Sequence, residues 1–340
     1  MMPVESCHLR LPATSANLGA AFDTAAIALD FALEVEARAA GEFSMQATGR
    51  NVAECSRLDG NMILETYQAL LLREGRSVVP LAVRMQNGIP LGMGCGSSAA
   101  GRLAAICLAA HFGQLGWSGE RILTEAVALE GHPDNAAACW MGGLVVAATP
   151  LAAAQSQADA ASCHLPSVSI APPRNWSAIV AMPSRPLATS QARAVLPETY
   201  SRADVVANLQ AAALLAPAFA AASAELLAAA TRDRLHQPFR RAICPLLEPL
   251  LPLVGHAGIL SVTLSGAGPS VLLIRESGSA QAMAAVQTAL AHAGWQPQED
   301  FELLEAEFAS VGAAQHWELR SQAKADRGNV GDGRTGLVTD

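Results

Sequence analysis

Residues 90–101 read PLGMGCGSSAAG. Three glycines alternate with other residues, two serines follow, and a run of small residues opens a helix-like segment. No other stretch constrains the fold so tightly. Glycine has no Cβ, so it admits φ > 0 and lets a ligand lie on peptide N–H groups. A helix N-terminus just behind such a loop adds unpaired N–H donors and a partial positive charge. Together these form an anion site, and phosphate is the usual anion. The plainer alternative is a tight turn ahead of a helix.

The surroundings narrow which nucleotide fold owns the loop. VRMQNGIPL, from Val83, carries Asn87-Gly88 between two apolar segments, which predicts a hairpin. A helix over about 98–112 and another over about 119–129 lead into EGHPDN, and GGLVVAATP reads as a buried strand. The Walker A pattern fails, because no lysine follows the glycines. Gly94, Gly96 and Ala99 match a relaxed dinucleotide pattern, but that pattern needs a βαβ context. Here a hairpin precedes the loop and a second helix follows the first.

Elsewhere, 4–11 and 26–38 contain strand-like stretches. Residues 61–74 form an amphipathic helix with Ile63, Leu64, Tyr67, Leu70 and Leu71 on one face. A composition shift over 151–175 predicts a domain boundary. Beyond it come a strand (SAIVAMP), alanine-rich helices over about 203–231, a strand (ILSVTLSG), a second glycine loop (SGAGPS) and the strand SVLLI. A helix over about 279–293 and a strand over about 301–308 close the second half. Pairing is expected to be mostly antiparallel, in an α+β fold. A polar, glycine-rich tail over 317–340 reads as disordered.

A length of 340 residues suggests about two domains. A hydrophobic share of 51% and a charged share of 15% support real cores. A net charge of −8 without a basic block argues against nucleic acid or an anionic membrane as partner. The seven cysteines contain no CxxC pair and are odd in number, which fits a reducing cytoplasm better than a disulfide framework or a zinc site. Residues 211–230 are long enough to span a membrane, but they are mostly alanine and are interrupted by Pro217 and Glu225. A pair of packed helices is the expectation.

Three motifs occur in one order: PATSANLGAAFD (12–23), PLGMGCGSSAAG (90–101) and LSGAGPS (264–270). Together they resemble the GHMP kinases, a family of small-molecule kinases, over about residues 5–310. The resemblance implies a two-domain GHMP kinase fold, with a ribosomal-S5-domain-2-like N-terminal domain (1–160) and a ferredoxin-like C-terminal domain (165–316). EGHPDNAAACWMGG, RDRLHQPFRR and SRPLATSQARAVLP are similar to the members that phosphorylate the side-chain hydroxyl of L-homoserine. The implied function is that transfer from ATP, with Mg²⁺, in the cytoplasm and in the service of threonine synthesis. The resemblance also allows a homodimer. Another small alcohol as acceptor, or a homologue that binds nucleotide without turnover, stays open. One departure is Gly19-Ala20-Ala21 where the family has Gly-Pro-Gly. Alanine does not adopt positive φ cheaply, so a reshaped turn and a displaced Asp23 are expected.

The resemblance assigns roles residue by residue. Pro90, Leu91, Gly92, Met93, Gly94, Cys95, Gly96, Ser97, Ser98 and Ala99 would wrap the ATP phosphates. Ser98 and Glu130 would hold Mg²⁺, which prefers hard oxygen ligands. Asn17, Asp23, His132, Arg193 and Arg240 would bind substrate, with Asp23 and Asn135 nearest the chemistry. Two arginines suit a carboxylate and one aspartate suits an ammonium, the pattern of an α-amino acid. Turn chemistry at Asn17 and Asp23, an N-cap at Ser98 and surface exposure of the arginines are the structural alternatives.

Overall fold

The computed structural model describes residues 6–149, 164–315 and 317. The tail beyond Trp317 and most of the composition shift lie outside the described residues. The first half runs β1 (Cys7–Asn17), β2 (Ala21–Ala39), β3 (Ser44–Gly49), α1 (Val52–Cys55), α2 (Met62–Arg73), β4 (Leu81–Asn87), α3 (Ser97–Phe112), α4 (Gly119–Glu130), α5 (Asp134–Met141) and β5 (Leu144–Ala147). The rest runs β6 (Ser167–Ile170), β7 (Trp176–Pro183), α6 (Thr189–Ala194), α7 (Arg202–Ala220), α8 (Ala224–Ala230), α9 (Gln237–Arg240), α10 (Leu247–Leu250), β8 (Ile259–Leu264), β9 (Val271–Glu276), α11 (Ala280–His292) and β10 (Phe301–Ala306).

The first sheet has the order β3-β4-β2-β5-β6, with β1 also paired to β2. Period-two alternation sets its register. Leu9 and Leu11 face Val35 and Leu33 on the buried side, while His8 and Arg10 face Glu36 and Glu34 on the other. β6 lies within the composition shift and pairs with β5 of this sheet. α3 is buried on nearly every side, from Ala99 to Phe112, which suits a helix of alanine, leucine and isoleucine at the centre of a domain.

The hairpin expected at Asn87-Gly88 does not form. β4 pairs antiparallel with β2 and parallel with β3, and the chain then runs on as a loop. Asn87 Oδ1 accepts from the Ile89 N–H at 3.0 Å, and Gly88 N–H donates to Ala32 O at 2.8 Å. The Asn-Gly pair therefore makes a local Asx turn that steers the chain toward the glycine loop.

The second sheet has the order β10-β7-β9-β8, antiparallel throughout. Two strands precede and follow one helical block each, which is the βαββαβ arrangement expected of a ferredoxin-like unit. α7 and α8 are the packed helix pair expected within 203–231. α7 has the length and apolar composition of a membrane span, contains Pro217, and turns Ala211, Leu215, Ala218 and Phe219 inward. A shared core joins the halves, with Trp176, Phe219 and Ile274 packed in one cluster with Leu29, Leu103 and Trp140. A bidentate Arg50–Glu302 pair ties the end of β3 to β10.

Candidate active site

A cleft of about 590 Å³ opens where three glycine-bearing segments meet: the β1–β2 turn, the loop before α3, and the β8–β9 loop. Gly92, Gly94 and Gly96 have φ of +70°, +72° and +72°. Bareness here was expected to make room for a ligand. At two of the three glycines it also lets other parts of the chain pack against the loop, a backbone at Gly94 and the Thr14 side chain at Gly96. A Cβ on Gly94 would stand 2.1 Å from Ser265 O, and one on Gly96 would stand 1.9 Å from Thr14 Oγ1. Ser265 Oγ donates to Gly94 O at 2.7 Å, Thr14 N to Cys95 O at 3.1 Å, and Gly266 N to Ala16 O at 3.0 Å. The three motifs are thus one hydrogen-bonded unit, and the second glycine loop buttresses the first.

Of the loop residues, Gly92, Gly94, Gly96, Ser97, Ser98 and Ala99 line the cleft, while Pro90, Leu91, Met93 and Cys95 do not. Cys95 is buried behind the loop, and burial pushes its thiol up to about 12. Leu91 lines a smaller apolar cavity of about 210 Å³, with Asn61 and Ile89, that meets the cleft at Ser97.

Ser98 and Glu130 come together as the sequence suggested. α4 ends at Glu130 because Gly131 takes φ +81°, a left-handed stop. Ser98 Oγ donates to Glu130 Oε1 at 2.7 Å. Arg102 Nη1 lies 3.1 Å from the same oxygen, and Arg102 also donates to Leu129 O. A hydroxyl and a carboxylate at the head of a phosphate-type loop are a hard-oxygen donor set that fits Mg²⁺. Arg102 was missed in the sequence. Its spacing of four from Ser98 on a helix was the signal that could have found it.

At the other end, the β1–β2 turn carries positive φ at Asn17 (+73°), Leu18 (+41°), Gly19 (+77°) and Asp23 (+53°). Ala20 and Ala21 take ordinary φ, so the alanines do not bear the strain expected of them. Asn17 lines the cleft and shapes this turn: Oδ1 accepts from Asp23 N at 2.9 Å and Nδ2 donates to Gly266 O at 2.7 Å. Asp23 receives both Arg193 nitrogens, at 3.0 and 2.9 Å, in a fork-to-fork pair.

Arg240 is 1% exposed yet lines the cleft. Nε donates to Ala192 O at 3.0 Å and Nη1 to His236 Nδ1 at 3.0 Å, while His236 Nε2 donates to Gly19 O at 2.8 Å. That pattern needs the neutral imidazole, and burial indeed pushes the His236 pKa down. The Phe22 ring sits among Arg193, Arg240 and His236, with centroid distances of 5.6, 5.4 and 5.1 Å. Phe22 was also missed, since its role exists only through residues far along the chain.

His132 Nδ1 is 2.6 Å from Asp134 Oδ1, and that hydrogen bond raises the His132 pKa above its ordinary value. Asn135 Oδ1 accepts from Thr14 Oγ1 at 2.7 Å, which holds its amide at the cleft wall. Ligand atoms of Asp23, His132 and Asp134 lie within 4.8 Å of one another. Each is already bonded to a neighbour, and Glu130 turns away to Ser98, so Glu-x-His-x-Asp does not converge as one ligand set.

Comparison with known proteins agrees with this geometry. The family model for the GHMP kinases N terminal domain matches residues 61–143, and that for the GHMP kinases C terminal matches 215–292. The homoserine kinase of Solibacter usitatus is 40% identical over 271 residues, covering 80% of this chain and 86% of that protein. The homoserine kinase of Deinococcus radiodurans is 33% identical, covering 81% of this chain and 86% of that one. The crystal structure of homoserine kinase from Cytophaga hutchinsonii shares the fold, with a TM-score of 0.72 at 22% identity over 92% of this chain and 97% of that chain. With both family models matched and relatives of this identity spanning most of its length, the chain belongs to the GHMP kinase family, on its homoserine kinase branch.

Proposed function

We propose that the protein transfers the γ-phosphoryl group of ATP to the side-chain hydroxyl of L-homoserine, giving O-phospho-L-homoserine and ADP. The observation that carries this reading is the charge pattern of the cleft. A carboxylate (Asp23) and two guanidinium groups (Arg193, Arg240) stand at one end, and a glycine loop at a helix N-terminus stands at the other. An α-amino acid presents the complementary ammonium and carboxylate, whereas a sugar or neutral alcohol presents neither. In the free protein the Arg193–Asp23 pair keeps both groups aligned. The zwitterion exchanges with it, ammonium to Asp23 and carboxylate to the arginines.

The triphosphate lies along Gly92, Gly94, Gly96, Ser97 and Ser98, on the N–H groups that begin α3. The small apolar cavity beside Leu91 and Ile89 takes the base. Ser98 and Glu130 would hold Mg²⁺, which when bound offsets phosphate charge. The substrate oxygen bonds to the γ-phosphorus as the bond to the β–γ bridging oxygen breaks, and ADP departs. Asn135 orients the hydroxyl from the wall shared with Thr14. In a loose transition state the hydroxyl proton leaves late, to an oxygen of the transferred phosphoryl group, so positioning and charge neutralisation carry the step. His132, held by Asp134, lines that side of the cleft.

ADP release is measured with L-homoserine and with a panel of other small alcohols. Release only with L-homoserine is the expected result. Release with another alcohol would reassign the acceptor, and nucleotide binding without release on any acceptor would mark a non-catalytic homologue.

A further inference from the structure

The phosphate end of the cleft poses a question of charge. The chain has one lysine, Lys324, and it lies outside the described residues. Among the described residues, the arginines lining the cleft are Arg102, Arg193 and Arg240. Arg193 is committed to Asp23, and Arg240 to Ala192 O and His236, both at the acceptor end. Among these three, Arg102 is the one at the phosphate loop. It sits one helical turn past Ser98, with its side chain 29% exposed and its Nη1 against Glu130 Oε1. Glu130 Oε1 thus accepts from both Ser98 and Arg102, and Glu130 is the carboxylate read above as the metal ligand.

Resting on the kinase reading, we infer that Arg102 is a triphosphate-binding residue that supplies positive charge in cis. In the free protein Arg102 pairs with Glu130. With nucleotide bound it pairs with a non-bridging oxygen of the terminal phosphate, and Glu130 is left to the metal. A guanidinium suits this exchange. It stays charged, and its several N–H donors let it keep Leu129 O while it trades one carboxylate for a phosphate. Charge that spreads over the transferring group's oxygens meets a cation already in place, with no lysine required. The competing account is that Arg102 only neutralises Glu130 at the end of α4.

Calorimetric titration separates the two. ADP and a non-hydrolysable ATP analogue are each titrated, with Mg²⁺, into the wild type, Arg102→Lys and Arg102→Ala, alongside melting curves. Losing one charge-assisted bond to the terminal phosphate should weaken the analogue about ten- to a hundredfold in Arg102→Ala and leave ADP within about threefold. Arg102→Lys, which keeps the charge, should recover part of the loss and covers the case in which the alanine variant does not fold. An equal loss for both nucleotides, or none, overturns the assignment of Arg102 and leaves the kinase reading standing. A wild type that binds neither nucleotide overturns both.

Discussion

Gly94→Ala isolates what holds the phosphate loop in shape. At φ +72° any L-residue is in the left-handed region, which costs about 1–2 kcal/mol. The new Cβ would stand 2.1 Å from Ser265 O and 2.8 Å from Gly268 O, both backbone atoms with no rotamer to escape into. The β8–β9 loop must retreat, and the 2.7 Å bond from Ser265 Oγ to Gly94 O is lost, worth about 1 kcal/mol. Local overpacking adds about 1–3 kcal/mol. The sum is roughly 3–6 kcal/mol. Gly116→Ala is the control: its φ is +67°, but nothing lies within 4 Å of the added Cβ, so only the left-handed penalty of about 1–2 kcal/mol applies. Equilibrium urea denaturation followed by tryptophan fluorescence measures both variants, and nucleotide titration accompanies it. Gly94→Ala should lose stability and nucleotide affinity together. Equal destabilisation of the two variants would refute the argument, and nucleotide loss at control-like stability would mean the side chain intrudes on ligand space instead.

Four further outcomes are expected. Glu130→Gln should lower kcat on the order of a hundredfold across a Mg²⁺ titration, because a carboxylate that supports the transferring phosphoryl group becomes neutral; wild-type turnover would remove Glu130 from the site. Arg193→Ala should raise the KM for L-homoserine about tenfold, less than a fully buried pair would give since its side chain is 40% exposed; a methyl ester of the substrate should hurt the wild type more than the variant. Arg240→Ala should lower stability as well as binding, by about 3 kcal/mol in a urea titration, because Ala192 O and His236 Nδ1 both lose a buried donor; full stability would contradict the buried geometry. The two histidines should pull stability in opposite directions with pH. His132, raised by Asp134, contributes in full below about 6.5, and that contribution fades as pH rises through its higher folded value. His236, lowered by burial, contributes above about 6.5 and that contribution is lost as pH falls toward its lower folded value. Histidine NMR titration of the wild type and Asp134→Asn checks the first, and a variant His132 pKa equal to the wild type's would contradict it.

The sequence by itself determined most of the elements and many of the residues that line the cleft. The strand-like stretch over 26–38, the amphipathic face of 61–74 and the helix over about 119–129 are local signals, and each formed close to where it was read. Three short motifs in order were enough for the family, because a phosphate loop and its supports need particular residues at particular spacings. What only the tertiary structure decided are contacts between parts distant in the chain. Asn87-Gly88 had the chemistry of a hairpin, but β2 and β3 already flank β4, so no partner edge remained for a returning strand. Gly94 looked bare for a ligand, yet Ser265, 171 residues away, is what requires it to be glycine. Asn17 lines the cleft, but what orients its amide there is Gly266 at one end and Asp23 at the other. Periodicity and turn propensity describe a residue's own neighbourhood. Which backbone arrives against it is set by how two sheets and a shared core pack, and no local pattern carries that.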